Sequence, residues 1–279
     1  MRCAPKHKNE ILSFTCYTPD ALHRLKEIWN ARHPDSTIDT NDSKLIWNSL
    51  KNYMARTCNT EVCWLRHQCI KHDIDHSLLT ENFAPLAPKS WQKKPNEWLT
   101  SIDIQGVMKQ WENSHKNFEF LGPSPIDYDR HKLFDECVWE ELCKFSLSTY
   151  KKRGKNKIGI IFNLDPHYKG GSHWVALFID TKDKCTYYFD SYGEKIPRRI
   201  MKFVKTVQKQ SQQFGEKYDF FENKKRHQYS ESECGMYCLF FIIQMLQNVP
   251  FSFFQDNKVE DRLMRELRKV YFNQNIKTN

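Results

Sequence analysis

Cys234 follows the polar turn Ser230-Glu231-Ser232-Glu233 and opens an apolar stretch that runs to Leu246. A helix beginning at that cysteine sets the sulfur at the positive end of the helix dipole, beside unpaired N–H groups, where thiolate is favoured. A thiolate attacks a carbonyl carbon once a base takes its proton and donors receive the oxyanion. Gln228, six residues earlier in the same loop, offers a side-chain amide for the second task, beside the backbone N–H of Cys234. For the first task the sequence offers His173 and Asp190. They border two β-rich runs, residues 173–179 and 185–189, joined by Thr181-Lys182-Asp183-Lys184. If these runs form a hairpin, paired residue numbers sum to about 365. His173 then faces position 192, and Asp190 lies within the diagonal reach of roughly 7–8 Å. A thiol, an imidazole, a carboxylate that orients it and an amide donor make up the equipment of acyl transfer.

Taken singly, each residue has a plainer reading. A buried cysteine at a helix start is usually inert, His173 could be an ordinary strand-edge residue, and Asp190-Ser191 could be a simple turn. His167 competes as the base, but it follows Pro166 in a loop instead of opening the strand that faces Asp190. Glu231 is nearer the cysteine than Gln228, yet an ionised carboxylate has no proton to donate. Cys238, one helical turn past Cys234, reads as a packing residue. Cys58-x4-Cys63 with His67, Cys69 and His72 departs from the usual Cys-x2-Cys spacing and spreads its ligands over different helix faces, so no metal is assigned. The chemistry calls for no cofactor.

The positioning elements follow from pattern. Thr18-Pro19-Asp20 and Asp42-Ser43 are helix starts, each leading into apolar residues at helical spacing, so the first eighty or so residues read as all-helical. Residues 81–97 carry Pro85, Pro88 and Pro95 among lysines and read as a linker. This places a helical domain at residues 1–84 and a second domain at 85–279. In the second, helices are expected over 101–111, 135–147, 198–213 and 259–272, and a buried helix from Cys234. Runs at 158–164, 173–179 and 185–189 form a small central sheet, with a short strand at 218–221. The class is α+β.

The chain has 279 residues, of which 39% are hydrophobic and 14% aromatic, a mixture that excludes collagen-like and wholly disordered chains. No stretch approaches the roughly 20 apolar residues of a membrane span, and the basic N-terminus has no apolar segment behind it to act as a signal peptide. The ten cysteines are therefore expected to be mostly reduced thiols. The formal charge of +9, concentrated at residues 151–157 and 224–226, suits weak non-specific nucleic acid binding but equally a solvated face.

Three segments stand in order: Gly-Ser-His-Trp-Val-Ala-Leu-Phe-Ile-Asp at 171–180, Tyr-Tyr-Phe-Asp-Ser at 187–191, and Arg-His-Gln-x5-Cys-Gly at 226–235. This resembles the Ulp/SENP clan of cysteine proteases, whose members use histidine, acid, glutamine and cysteine in this chain order. The matching residues are His173, Asp190, Gln228 and Cys234. Trp98-Leu99-Thr100-Ser101 resembles the clan's Trp-Leu-Asn-Asp motif, with Thr-Ser replacing Asn-Asp. Within the clan the chain is similar to polyprotein-processing proteases of the African swine fever virus type. That likeness rests on Arg226-His227-Gln228 ahead of Glu233-Cys234-Gly235, on the Leu99-Thr100 helix start with Trp111 at its end, and on Cys58 and Cys63 around Glu61; an amide residue stands there in the place of Asp190.

The resemblance implies a mixed sheet flanked by helices behind a helical arm that helps dock substrate. It implies a cysteine endopeptidase, needing no cofactor, that cleaves a viral structural polyprotein in the host cytoplasm and virion. It also implies that Trp98 and Trp174 bound a tunnel passing only glycine backbone, hence cleavage after Gly-Gly. An isopeptidase acting on SUMO or ubiquitin-like modifiers would use the same site. A basic nucleic-acid-binding virion protein with an idle site is the non-enzymatic alternative, which the intact set of four residues opposes.

Overall fold

A computed structural model of the chain describes residues 2–69 and 77–274. They fall into two compact units: Met1–Ala87 with the described residues from Val270 on, and Pro88–Lys269.

The first unit is built from α1 (Pro19–Arg32), α2 (Ser43–Met54), α3 (Glu61–Cys69) and α4 (Ser77–Asn82). Both expected helix starts are present. Thr18 accepts from the Ala21 N–H with Pro19 in the first helical position, and Asp42 accepts from the Leu45 N–H, each satisfying a donor that the first turn leaves without a partner. Leu22, Leu25, Trp29, Ile46 and Leu50 meet in its core. The final segment joins this unit instead of the second: Asn273 exchanges backbone hydrogen bonds with Pro85 and Ala87, and its side chain bonds Arg2 and Ala84. The proline-bearing stretch expected as a linker is partly packed, with Phe83, Ala84, Ala87 and Trp91 buried. Proline there forces extended backbone, but the apolar residues between the prolines still find cover.

The expectation of mostly reduced thiols is corrected: Cys3–Cys16, Cys58–Cys63 and Cys137–Cys143 are disulfides, while Cys185, Cys234 and Cys238 are free. Each bridge spans a short loop, so proximity in the fold overrides the prior drawn from cell compartment.

The second unit is the α+β domain. It contains α5 (Ser101–Ser114), β1 (Phe118–Phe120), β2 (Ser124–Pro125), α6 (Glu140–Cys143), α7 (Leu147–Lys152), β3 (Lys157–Asn163), β4 (Trp174–Asp180), β5 (Cys185–Phe189), α8 (Arg198–Gln212), β6 (Asp219–Glu222), α9 (Cys234–Leu246), α10 (Ser252–Asp256) and most of α11 (Asp261–Tyr271). The sheet runs β1-β3-β4-β5-β6, with β2 also beside β3. The three expected strands form its antiparallel centre, and β1, β2 and β6 add in parallel. Val175, Leu177 and Ile179 point to Ile200, Phe203 and Val207 of α8. On the opposite face Phe189 stacks on Phe241 of α9 at 4.9 Å, and every residue of α9 except Gln244 is buried. Burying each large apolar side chain of this kind contributes about 1.5–3 kcal/mol, so this layered core outweighs any surface ion pair in fixing where α9 begins.

The helix expected over 135–147 is corrected. The short α6 forms there and α7 starts at its last residue, because residues 128–139 fold as a hairpin whose backbone donors pair across it: Val138 to Arg130 and Trp139 to Tyr128. Among the described residues no helix is long and apolar enough to cross a membrane.

Candidate active site

The β4–β5 register pairs Ala176 with Phe189, the sum of 365 that the hairpin reading requires. Continued past the ladder, it brings His173 to Asp190: the imidazole Nε2 donates to Asp190 Oδ1 at 2.7 Å. Asp190 is itself held. Its Oδ1 accepts from the Tyr192 N–H at 2.9 Å, and its backbone N–H and carbonyl are both bonded by the buried Asn223 amide. The Tyr192 ring stacks on the imidazole at 4.7 Å and 22°. With Nε2 occupied, Nδ1 is the nitrogen left for the thiol, and Cys234 stands close enough to the imidazole to help hold its proton. Burial opposes a charged imidazole here, but the hydrogen bond to Asp190, the nearby Cys234 and the negative charge of both outweigh it and raise the His173 pKa to about 9. The site therefore favours the imidazolium, the partner a thiolate needs.

Cys234 is the buried first residue of α9. The loop before it is fastened from several sides. Asp261 accepts from the Tyr229 and Ser230 N–H groups, and Tyr237 donates from its hydroxyl to the same carboxylate. Glu233, the residue before the cysteine, pairs with Arg268 at 2.9 Å, both buried, and the Arg268 guanidinium lies over the Trp91 ring. His227 is fully enclosed, donating from Nε2 to Phe254 O and accepting from the Val259 N–H. Burial holds its pKa down at about 4, so it serves as a neutral strut. Gln228, also buried, accepts at Oε1 from the Ser191 hydroxyl at 2.6 Å, and its amide nitrogen donates to Ser230 O at 2.6 Å. The second amide hydrogen has only a long contact, 3.4 Å to the Tyr192 oxygen, which makes it the one that can turn to a developing oxyanion.

Beside this set lies a cleft of about 490 Å³ whose lining includes Trp98, Leu99, Trp139, Gly171 and Trp174. Trp98 is 41% exposed and Trp174 8%; the Trp174 indole N–H donates to Leu99 O at 3.1 Å. Leu99 in turn presses against Gly235, where an added Cβ would come within 3.0 Å of the Leu99 Cβ. The Thr100-Ser101 pair opens α5 through a capping box of Thr100 with Asp103. His167 binds Asp127 at 2.8 Å instead of Asp190. His173 is thus bonded to Asp190, Gln228 to the neighbouring Ser191, and Trp98 and Trp174 line one cleft, while the rejected base, which also lines that cleft, is paired with Asp127.

Sequence reasoning missed Asn223, Tyr192 and the Glu233–Arg268 pair. Position 192 is the partner that the hairpin arithmetic gives for His173; nothing in the sequence marks the other residues. Of the cysteine and histidine group weighed for a metal, Cys58 and Cys63 are bonded to each other, and the side chains of His67, Cys69 and His72 lie outside the described residues. Among the described residues one group could hold a metal ion: His131, Cys137 and Cys143.

Residues 152–278 match the model of the Ulp1 protease family, C-terminal catalytic domain. A thiol protease of Acanthamoeba polyphaga mimivirus is 30% identical, over 92% of this chain and 89% of that protein. A SUMO-1 cysteine protease of African swine fever virus (isolate Pig/Kenya/KEN-50/1950) is 26% identical, over 85% of this chain and 91% of that protein. The fold matches the crystal structure of an African swine fever virus protease with a TM-score of 0.67 at 21% identity, over 98% of this chain and 96% of that one.

Proposed function

This chain belongs to the Ulp1 protease family of cysteine proteases, and from that premise we propose that it is a viral endopeptidase cleaving structural polyprotein after Gly-Gly during virion maturation. The observation that carries the proposal is the His173–Asp190 hydrogen bond beside a thiol at a helix N-terminus, next to a cleft lined by Trp98 and Trp174.

In this reading Nδ1 of His173 takes the Cys234 proton, and the thiolate attacks the carbonyl carbon of the second glycine. The oxyanion receives the Cys234 N–H and the Gln228 amide, and the imidazolium passes its proton to the leaving amine. Water, deprotonated by His173, then hydrolyses the thioester and frees the thiol and a glycine carboxylate. Asp190 holds the ring in the tautomer these transfers need. Action at assembly sites in the host cytoplasm and in the virion belongs to the same proposal, with any nucleic acid contact weak and non-specific.

A second reading, cleavage of ubiquitin-like modifiers, draws support from the SUMO-1 protease named among the relatives. The test sets Gly-Gly peptides from a polyprotein against ubiquitin and SUMO fusions, with wild type, Cys234→Ala and His173→Ala. Wild type is expected to cleave the peptides. Each variant loses all measurable cleavage with a native circular dichroism spectrum, because nucleophile and base act as one unit. Preferential turnover of the fusions would favour the isopeptidase, and alkylation of any free cysteine ahead of Cys234 would displace the site.

A further inference from the structure

On the rim of the cleft stands a hairpin whose residues the proposed hydrolysis does not use. Lys132 N–H donates to Glu136 O at 2.7 Å, and His131 stands opposite Cys137 across the two arms. The tip turns through Phe134 and Asp135, both left-handed (φ 62° and 59°), and Phe134 is 96% exposed. Cys137 joins the hairpin to Cys143 at the end of α6, at a Cα separation of 6.2 Å. Beside this bridge sits His131, with Nδ1 at 2.5 Å from Asp135 Oδ1. One ligand atom each from His131, Cys137 and Cys143 lies within 4.8 Å of the others.

We propose that His131, Cys137 and Cys143 form a zinc site when the Cys137–Cys143 disulfide is reduced, with Asp135 orienting the imidazole or filling the fourth position. Tetrahedral zinc, with Zn–S of about 2.3 Å and Zn–N of about 2.1 Å, needs donors roughly 3.5–3.8 Å apart. The sulfurs reach that spacing only once their bond is broken, and the imidazole has to approach by about 1 Å. A thiol reductant of the glutathione class supplies two electrons and two protons to the disulfide and is itself oxidised to one; the two new thiols release their protons as they bind zinc. Two thiolates with an imidazole select zinc over magnesium or calcium, and the carboxylate beside the histidine is the partner such a ligand ordinarily has. The hairpin is thereby tied to α6 under oxidising conditions by sulfur and under reducing conditions by metal. Lys132, Val138 and Trp139 line the cleft, so either tie holds one of its walls.

The test titrates the full-length protein, reduced with a phosphine and freed of metal, with Co²⁺ and then Zn²⁺. Reduction also opens the bridges of Cys3, Cys16, Cys58 and Cys63, so the reading is a difference between variants. Wild type is expected to take up one equivalent of tetrahedral thiolate-bound cobalt, displaced by zinc, more than Cys137→Ser and Cys143→Ser. His131→Ala, altering an exposed side chain, loses the same equivalent with an unchanged circular dichroism spectrum, and Asp135→Asn weakens binding by about 10- to 100-fold. Equal uptake by wild type, Cys137→Ser and His131→Ala overturns the site, as does undiminished uptake by the oxidised protein.

Discussion

His173 carries the charge on which the proposed chemistry turns. Because its pKa is raised to about 9, the folded state binds its proton more tightly than the unfolded chain does. The stabilisation is full below the ordinary histidine value near 6.5 and drains away as pH rises through about 9. The same deprotonation removes the imidazolium partner of the thiolate, so kcat/KM is expected to fall along an alkaline limb near pH 9. Asp190→Asn keeps an oxygen to orient the ring but drops the charge; the limb should move down towards 6.5, with less loss of rate than His173→Ala. An unmoved limb would assign the raised value to Cys234 alone. At the cleft, a wall of two indoles excludes a Cβ, which glycine alone lacks. Trp98→Ala and Trp174→Ala are each expected to lower the kcat/KM ratio of Gly-Gly over Gly-Ala peptides. A ratio unchanged in both would leave the indoles as packing.

Between elements, the contact of Gly235 with Leu99 ties the start of α9, and so the thiol, to the residues just ahead of α5 that meet Trp174. In Gly235→Ala the added methyl forces Leu99 to shift by a few tenths of an ångström, a strain that costs about 1–3 kcal/mol in a packed region. The gain in helix propensity, about 1 kcal/mol, offsets part of it. Thermal stability should therefore change little while peptide kcat/KM falls by a larger factor, since the shift reaches the Trp174 indole through the Leu99 carbonyl. Equal loss in both measurements would mean that the glycine serves packing only.

At the scale of the whole molecule, the first unit supplies none of the residues named for the chemistry, and Asn273 bonds within that unit. A fragment spanning Lys89–Lys269 is expected to cleave short Gly-Gly peptides and to lose activity on a folded polyprotein, because contacts remote from the scissile bond add binding energy that raises turnover. Polyprotein processing at the rate of the full chain would remove the docking role from the helical unit.

The local signals of sequence were enough for what depends on local physics. Helix starts at Thr18 and Asp42, the β-rich runs that become β4 and β5, and the apolar run from Cys234 each express a preference that the fold did not contradict, and a two-strand register follows from the length of one short turn. That is why His173 and Asp190 could be placed together from sequence, whereas their grouping with Gln228 and Cys234 was implied by the resemblance to the Ulp/SENP clan. Residues 135–147 show the limit: a helical pattern there gave way to one arm of a hairpin, because cross-strand hydrogen bonds to Tyr128 and Arg130 and burial of Leu142 and Phe145 are terms that a window of sequence does not contain. The same holds for Asn223 bracing Asp190, for the parallel strands β1, β2 and β6, and for the meeting of Glu233 with Arg268 across 35 residues of chain. Such contacts are decided by which surfaces come together when the core closes, and only the tertiary structure contains that choice.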